Sequence, residues 1–183
     1  MTVHESDKKL GELILYVSEK SAFDVYFGSV KLNKILYFSD FLAYGNQGES
    51  ITGAEYRHLK QGPAPTRLVE VRDALVAAGD LAIQPIQFPD GKTQFRPVNR
   101  RKAEISQFRP EHIEVVDWVI EQLKGLNATE TSDLSHLELG WRLTKEFEPI
   151  DYRTVFLSDE PLSGAELHRL SRLVEDEDVE KVA

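Results

Sequence analysis

The stretch VKLNKILYFSDFLAY, Val30 to Tyr44, decides the fold. Leu32, Ile35, Leu36 and Leu42 fall at helical spacings of three and four, while Tyr37, Phe38, Phe41 and Tyr44 fill the remaining faces. A helix apolar on nearly every side belongs at the centre of a core, so these aromatics read as packing groups rather than a cofactor box. Asp40 is the exception on this helix. If buried, its carboxylate must be partnered, and Lys34, Arg57 and Lys60 are the cations the sequence offers.

The segments on either side supply what such a helix packs against. Upstream, SDKKLGELILYVSEK places Leu10, Leu13, Ile14 and Val17 on one stripe of an amphipathic helix over residues 6–20. Downstream, Gly45 to Ser50 closes the central helix, and ITGAEYRHLKQGPAP follows as a short strand over 52–60 running into a stiff Gly-Pro-Ala-Pro corner. There Tyr56, His58 and Lys60 fall on one side of the strand. Thr66 caps a third helix ending at Gly79, with Leu68, Val69, Val71, Leu75 and Val76 inward.

Residues 80–98 read as a hairpin turning at Pro89-Asp90-Gly91-Lys92, with Pro85 and Pro97 confined to edges or strand ends. Pro110 opens a fourth helix to about Lys124, with Trp118 off its apolar stripe. Ser135 and Glu138 have capping-box spacing before a helix carrying Leu137, Trp141 and Leu143, and His136 reads as a helix-start residue bonded to nearby backbone. Pro149 to Leu157 is irregular or strand-like, and Ser163 starts a last helix to about Val174. The expected architecture is α+β: a mainly α-helical single domain over residues 1–158 with one small antiparallel sheet joining the Tyr56 strand to the hairpin, followed by a C-terminal helix and acidic tail over 159–183.

Composition narrows the function. The formal net charge of −9 disfavours phosphate backbones and anionic lipid, although the last 25 residues hold eight acids against three bases. There is no cysteine, hence no disulfide, thiol nucleophile or thiolate metal site. The five histidines are scattered without metal-ligand spacing, and neither phosphate-binding glycine loop nor nucleophile elbow is present. No cofactor or metal is expected. The N-terminus lacks signal-peptide character and no apolar run is long enough to span a membrane, so a cytoplasmic location is expected. Lys92, Arg96, Arg100, Arg101 and Lys102 form one acid-free basic run. It reads as a solvated loop or one facing the chain's own acids, with a nucleic-acid-binding wing as the alternative.

The stretch from Lys31 to Leu68 resembles the Panacea domain, the antitoxin domain of many bacterial and phage toxin-antitoxin pairs. The resemblance rests on Lys31, Leu32, Lys34, Ile35, Leu36, Tyr37 and Phe38, on Thr52 through Tyr56, and on Gly62 with Pro63. Leu134, Ser135 and His136 ahead of Trp141 match a second, looser block, and the order of segments agrees over about residues 8–155. The resemblance implies a non-catalytic antitoxin that neutralises a cognate protein toxin by direct contact, as part of a toxin–antitoxin hetero-oligomer. Nucleic acid and membrane are not expected partners. The expected toxin-contacting residues are Tyr44, Tyr56, His58, Lys60, Arg67 and Trp141 with the C-terminal helix, while Asp40 and His136 are structural polar groups. Two other readings stand beside it: a winged-helix-like autoregulator using residues 66–102 on its own operator, and an adaptor delivering the toxin to a protease.

Overall fold

The computed structural model describes residues 3–159. The predicted last helix and the acidic tail lie outside them.

α1 (Val3–Lys20) and α2 (Ser29–Gln47) come first along the chain, and α2 is the hub. It packs against α1 and against the later helices α4 (Pro110–Leu123) and α5 (Ala128–His136). Its Leu32, Ile35, Leu36, Tyr37, Phe41 and Ala43 are all buried, as its two-sided apolar pattern requires. Gly48 ends it in the left-handed conformation (φ 77°), its N–H donating to Tyr44 O at 2.9 Å.

The predicted 52–60 strand shrinks to β1 (Tyr56–Arg57). β1 is flanked on one edge by β2 (Ala64–Pro65) and on the other by β5 (Pro149–Ile150), both antiparallel. α3 (Leu68–Ala78) leads into the hairpin of β3 (Leu81–Gln87) and β4 (Thr93–Asn99). The expected joint sheet is therefore corrected to two separate ones. Both edges of β1 are already taken, and the hairpin instead packs against α1 and α3. Pro85 and Pro97 sit inside the hairpin pairing, opposite Phe95 and Ile83. In a two-stranded ribbon every strand has a free edge, where a missing N–H does no harm.

Several local expectations shift. Thr66 does not cap α3: Arg67 occupies the cap position without a side-chain bond, and the Thr66 N–H donates to Glu55 O instead. Only Leu68 and Val71 of that helix are fully buried, with Val69 and Val76 largely in solvent. The capping box belongs to Asn127 and Glu130, not to Ser135 and Glu138. Asn127 Oδ1 accepts from the Thr129 and Glu130 N–H groups, and Glu130 accepts from Asn127 N–H at 2.7 Å. Leu137 and Leu143, expected on the helix that carries Trp141, are 69% and 67% exposed. The described residues finish through α6 (Leu139–Arg142), β5 and a 3₁₀ turn over Tyr152–Phe156. Among the described residues no helix is long and apolar enough to cross a membrane.

The basic run is largely committed to the chain's own groups. Arg96 donates to the carbonyls of Ala22, Asp24 and Val25, bracing the α1–α2 loop. Arg101 forks onto buried Glu12 at 2.7 and 2.9 Å and reaches Asp80 at 2.9 Å. Arg101 and a backbone N–H of Glu104 hold the Glu12 carboxyl below its ordinary range against the opposing effect of burial.

Candidate functional site

Three segments far apart in sequence meet beside α2. The Gly62-Pro63 corner lies over Lys34, whose side chain is buried, and Ser135 of α5 closes the far side. Gly62 takes φ +96°, and a Cβ there would come within 2.5 Å of Lys34 Nζ and collide with Ser135 Oγ. The close approach and the backbone conformation both demand glycine. Gly62→Ala is accordingly expected to lose about 2–3 kcal/mol of stability, read as a lowered urea midpoint with unchanged m-value.

Among the described residues Lys34 Nζ finds only the Pro63 carbonyl, at 3.4 Å. It forms no ion pair among the described residues, and burial pulls its amine down to about 8. Its neighbour Lys31, one turn away and equally buried, pairs with Asp24 at 2.6 Å.

Against this corner stands a three-ring stack. Trp141 is sandwiched between His58 (centroids 4.3 Å apart) and His136 (4.0 Å), with interplanar angles of 20° and 23°. The indole Nε1–H donates to Leu59 O at 3.0 Å. His58 Nδ1 lies 3.0 Å from Trp141 O. A carbonyl can only accept, so Nδ1 of His58 carries the proton. The strand backbone adds the second clamp, since His58 N–H donates to Glu148 O and Phe147 N–H to His58 O. Burial, reinforced by the charge of Lys34, pushes the His136 imidazole down, so it stacks as a neutral ring at pH 7. His136 therefore closes α5 as a stacking group, not a helix-start residue, and its Nε2 is buried without a hydrogen-bond partner among the described residues.

Asp40 is fully buried, but none of the expected cations reaches it. Its Oδ1 accepts from Thr52 N–H at 2.8 Å, and its Oδ2 accepts from the Thr52 hydroxyl at 2.5 Å and the Tyr56 hydroxyl at 2.8 Å. Neutral donors replace the cation because the Thr52–Tyr56 segment runs directly along α2. Burial raises this carboxyl, and the Thr52 and Tyr56 bonds offset part of the rise. The network continues outward: Tyr152, ring to ring with Phe41, Tyr44 and Tyr56, donates its hydroxyl to Ala54 O at 2.6 Å.

The sequence-selected residues thus divide. Tyr56 is 1% exposed and cannot present itself to a partner, so its assignment as a contact residue is corrected to a core group held by Asp40. His58 and Trp141 come together, half-buried, in the stack. Lys60 is exposed at the mouth of the corner. Tyr44 packs half-buried on Tyr152 and Phe156. Arg67 is apart from this cluster, tied to Asp7 of α1 at 2.9 Å. Sequence reasoning missed Lys34 and Gly62 as a touching pair. The signal was present in a lysine on a helix otherwise apolar all round.

The groups assembled here are a fixed corner, a buried amine and a rigid aromatic stack, an arrangement suited to holding a surface in shape. The family model described as the SocA-like antitoxin, Panacea domain, matches residues 32–142, from the central helix to the residue after Trp141, and the chain belongs to this family. Searches among curated proteins and among solved structures return no match.

Proposed function

We propose that this protein is the antitoxin of a toxin–antitoxin pair and silences a cognate protein toxin by direct contact, without turning over a substrate. Family membership across residues 32–142 carries the reading. The way the matched segments meet supports it: Lys34, Gly62, His58, Ser135, His136 and Trp141 are drawn from three parts of the domain into one braced patch. Side chains held by stacking and by backbone bonds lose little rotamer freedom on binding, which favours a recognition surface. His58, Lys60 and Trp141 are the contacts assigned to it, with residues 1–158 as the binding body. Arg96 and Arg101, needed by the winged-helix alternative, are already bonded within the chain.

The test is co-expression with the product of the neighbouring reading frame. That product is expected to arrest growth alone, to be tolerated with this protein, and to elute with it as one complex. Rescue without any complex, or rescue that survives Trp141→Ala with Lys60→Glu, would count against contact at this patch.

A further inference from the structure

A second surface lies on the other flank of α2. A groove of about 550 Å³ runs between α2, α4 and the α5–α6 turn, walled by Phe38, Leu42, Trp118, Leu134, Leu137 and Phe156. Trp118, Leu137 and Phe156 are 55%, 69% and 63% exposed, an unusual concentration of bulky apolar side chains in water. Through Leu42, Asn46 and Trp118 the groove continues into a smaller one bordered by Glu111 and Glu114.

The charged residues that line it have one sign. Glu138 lines the groove, Glu111 and Glu114 its extension, and among the described residues no lysine, arginine or histidine lines either. None of the three carboxylates forms an ion pair among the described residues. Burial already raises the Glu138 carboxyl, so a cation brought beside it would be strongly welcome. The walls are side chains of helices and of a 3₁₀ turn, with no strand edge to pair. An extended segment laid there would leave its own N–H and C=O groups against apolar carbon, whereas a helix brings them already satisfied. Each bulky aromatic covers on the order of 150–250 Å² when enclosed, so Trp118 and Phe156 with the leucines can anchor one helix face.

We propose that this groove seats one amphipathic helix of the partner toxin, with leucine-like or aromatic side chains at helical spacing turned inward and lysines or arginines flanking them. The inference rests on the contact reading above and names the part of the toxin that docks.

The probe is a fluorescent peptide of about 14 residues, four turns, built from leucine and lysine in helical order and titrated into the full-length protein. A counterpart with glutamate for lysine is expected to bind at least about tenfold more weakly. Leu137→Glu is expected to weaken the lysine peptide by at least about tenfold, and Trp118→Ala by a similar factor. Both sites are exposed, so folding should be intact. Leu137→Glu adds an acid, so simple attraction of a cationic peptide to an acidic protein predicts tighter binding, and that result overturns the proposal. Equal binding of both peptides overturns it too. So does a tenfold gain in affinity on Leu170→Glu, which would mean that the chain's own C-terminal segment holds the groove. Conversion of a self-associated protein to monomer by Leu137→Glu would assign the groove to a second copy. With the cognate toxin the two readings separate: a toxin that never binds the wild-type protein sinks contact itself, while one bound equally by Leu137→Glu sinks only the groove.

Discussion

Asp40→Ala is expected to destabilise the protein by about 3–4 kcal/mol. The substitution strands three buried donors at once, the Thr52 amide, the Thr52 hydroxyl and the Tyr56 hydroxyl. Each unsatisfied buried group costs about 1–3 kcal/mol, and relief of the carboxylate's own desolvation returns part of the total. Asp40→Asn should cost much less, about 1–2 kcal/mol. Its carbonyl can still accept from the Thr52 amide while the two hydroxyls turn to accept from its NH₂ group. The two variants also differ from wild type in their response to pH. Burial raises the folded-state value of Asp40 above the ordinary one, so between the two the folded protein holds the extra proton. Wild-type stability should therefore fall as pH rises through that window, which opens near the ordinary carboxylate value of about 3.9. The asparagine variant should lack this slope. Urea midpoints for the three proteins from pH 3.5 to 7 decide it. A loss below about 1 kcal/mol for Asp40→Ala would show that water reaches the site.

The helical frame was legible because periodicity is a strong signal over long segments. α1, α2 and α4 each carry enough apolar residues at three-and-four spacing to outweigh local ambiguity, and Gly48 marks the end of α2 and Pro110 the start of α4. The sheets were less legible. β1 is two residues long, and both partners are brought to it by the tertiary fold, one from across the Gly-Pro corner and one from beyond α6. No pattern within Tyr56-Arg57 could name Pro149-Ile150 as a neighbour. The capping box shows a different failure. Ser135 and Glu138 have the right spacing, but Ser135 turns its hydroxyl back to Ser132 O inside α5, while Asn127 and Glu130 make the box about two turns earlier. At equal spacing, position relative to the helix decides.

The site was legible in its residue types and not in its geometry. His58, His136 and Trp141 could each be singled out, yet a stack of rings from residues up to 83 apart is a property of the folded chain. Burial was the hidden variable for polar groups on α2. A run reading Lys-Leu-Asn-Lys looks like a solvated face, and only the corner and loop packed over it show that both lysines are enclosed. The same cause turned Tyr56 from a surface aromatic into a core one.

Lys34→Met should make the protein more stable at neutral pH, by about 3 kcal/mol. A lysine whose amine falls from an ordinary 10.5 to about 8 on folding carries that much unfavourable burial as a cation. Methionine matches its length and flexibility and needs no partner, and among the described residues the only bond lost is the long one to Pro63 O. The sign of the pH dependence follows from linkage. Between about 8 and 10.5 the unfolded chain binds more protons at this position than the folded one, so wild-type stability should rise with pH across that range. Below about 8 the penalty is complete, and above 10.5 it is gone. The advantage of the methionine variant should therefore be full at pH 7 and nearly absent by pH 10.5. Parallel stability curves would show that Lys34 is hydrated or paired in solution. The same variant bears on function, because a charge buried at this cost, next to a glycine that cannot change, is hard to explain by folding alone. If the amine tunes the corner for toxin contact, Lys34→Met will yield a protein harder to unfold and poorer at protecting cells, a trade-off expected of functional sites. Greater stability with full protection would leave Lys34 as a packing residue and place recognition wholly on the exposed groups around it.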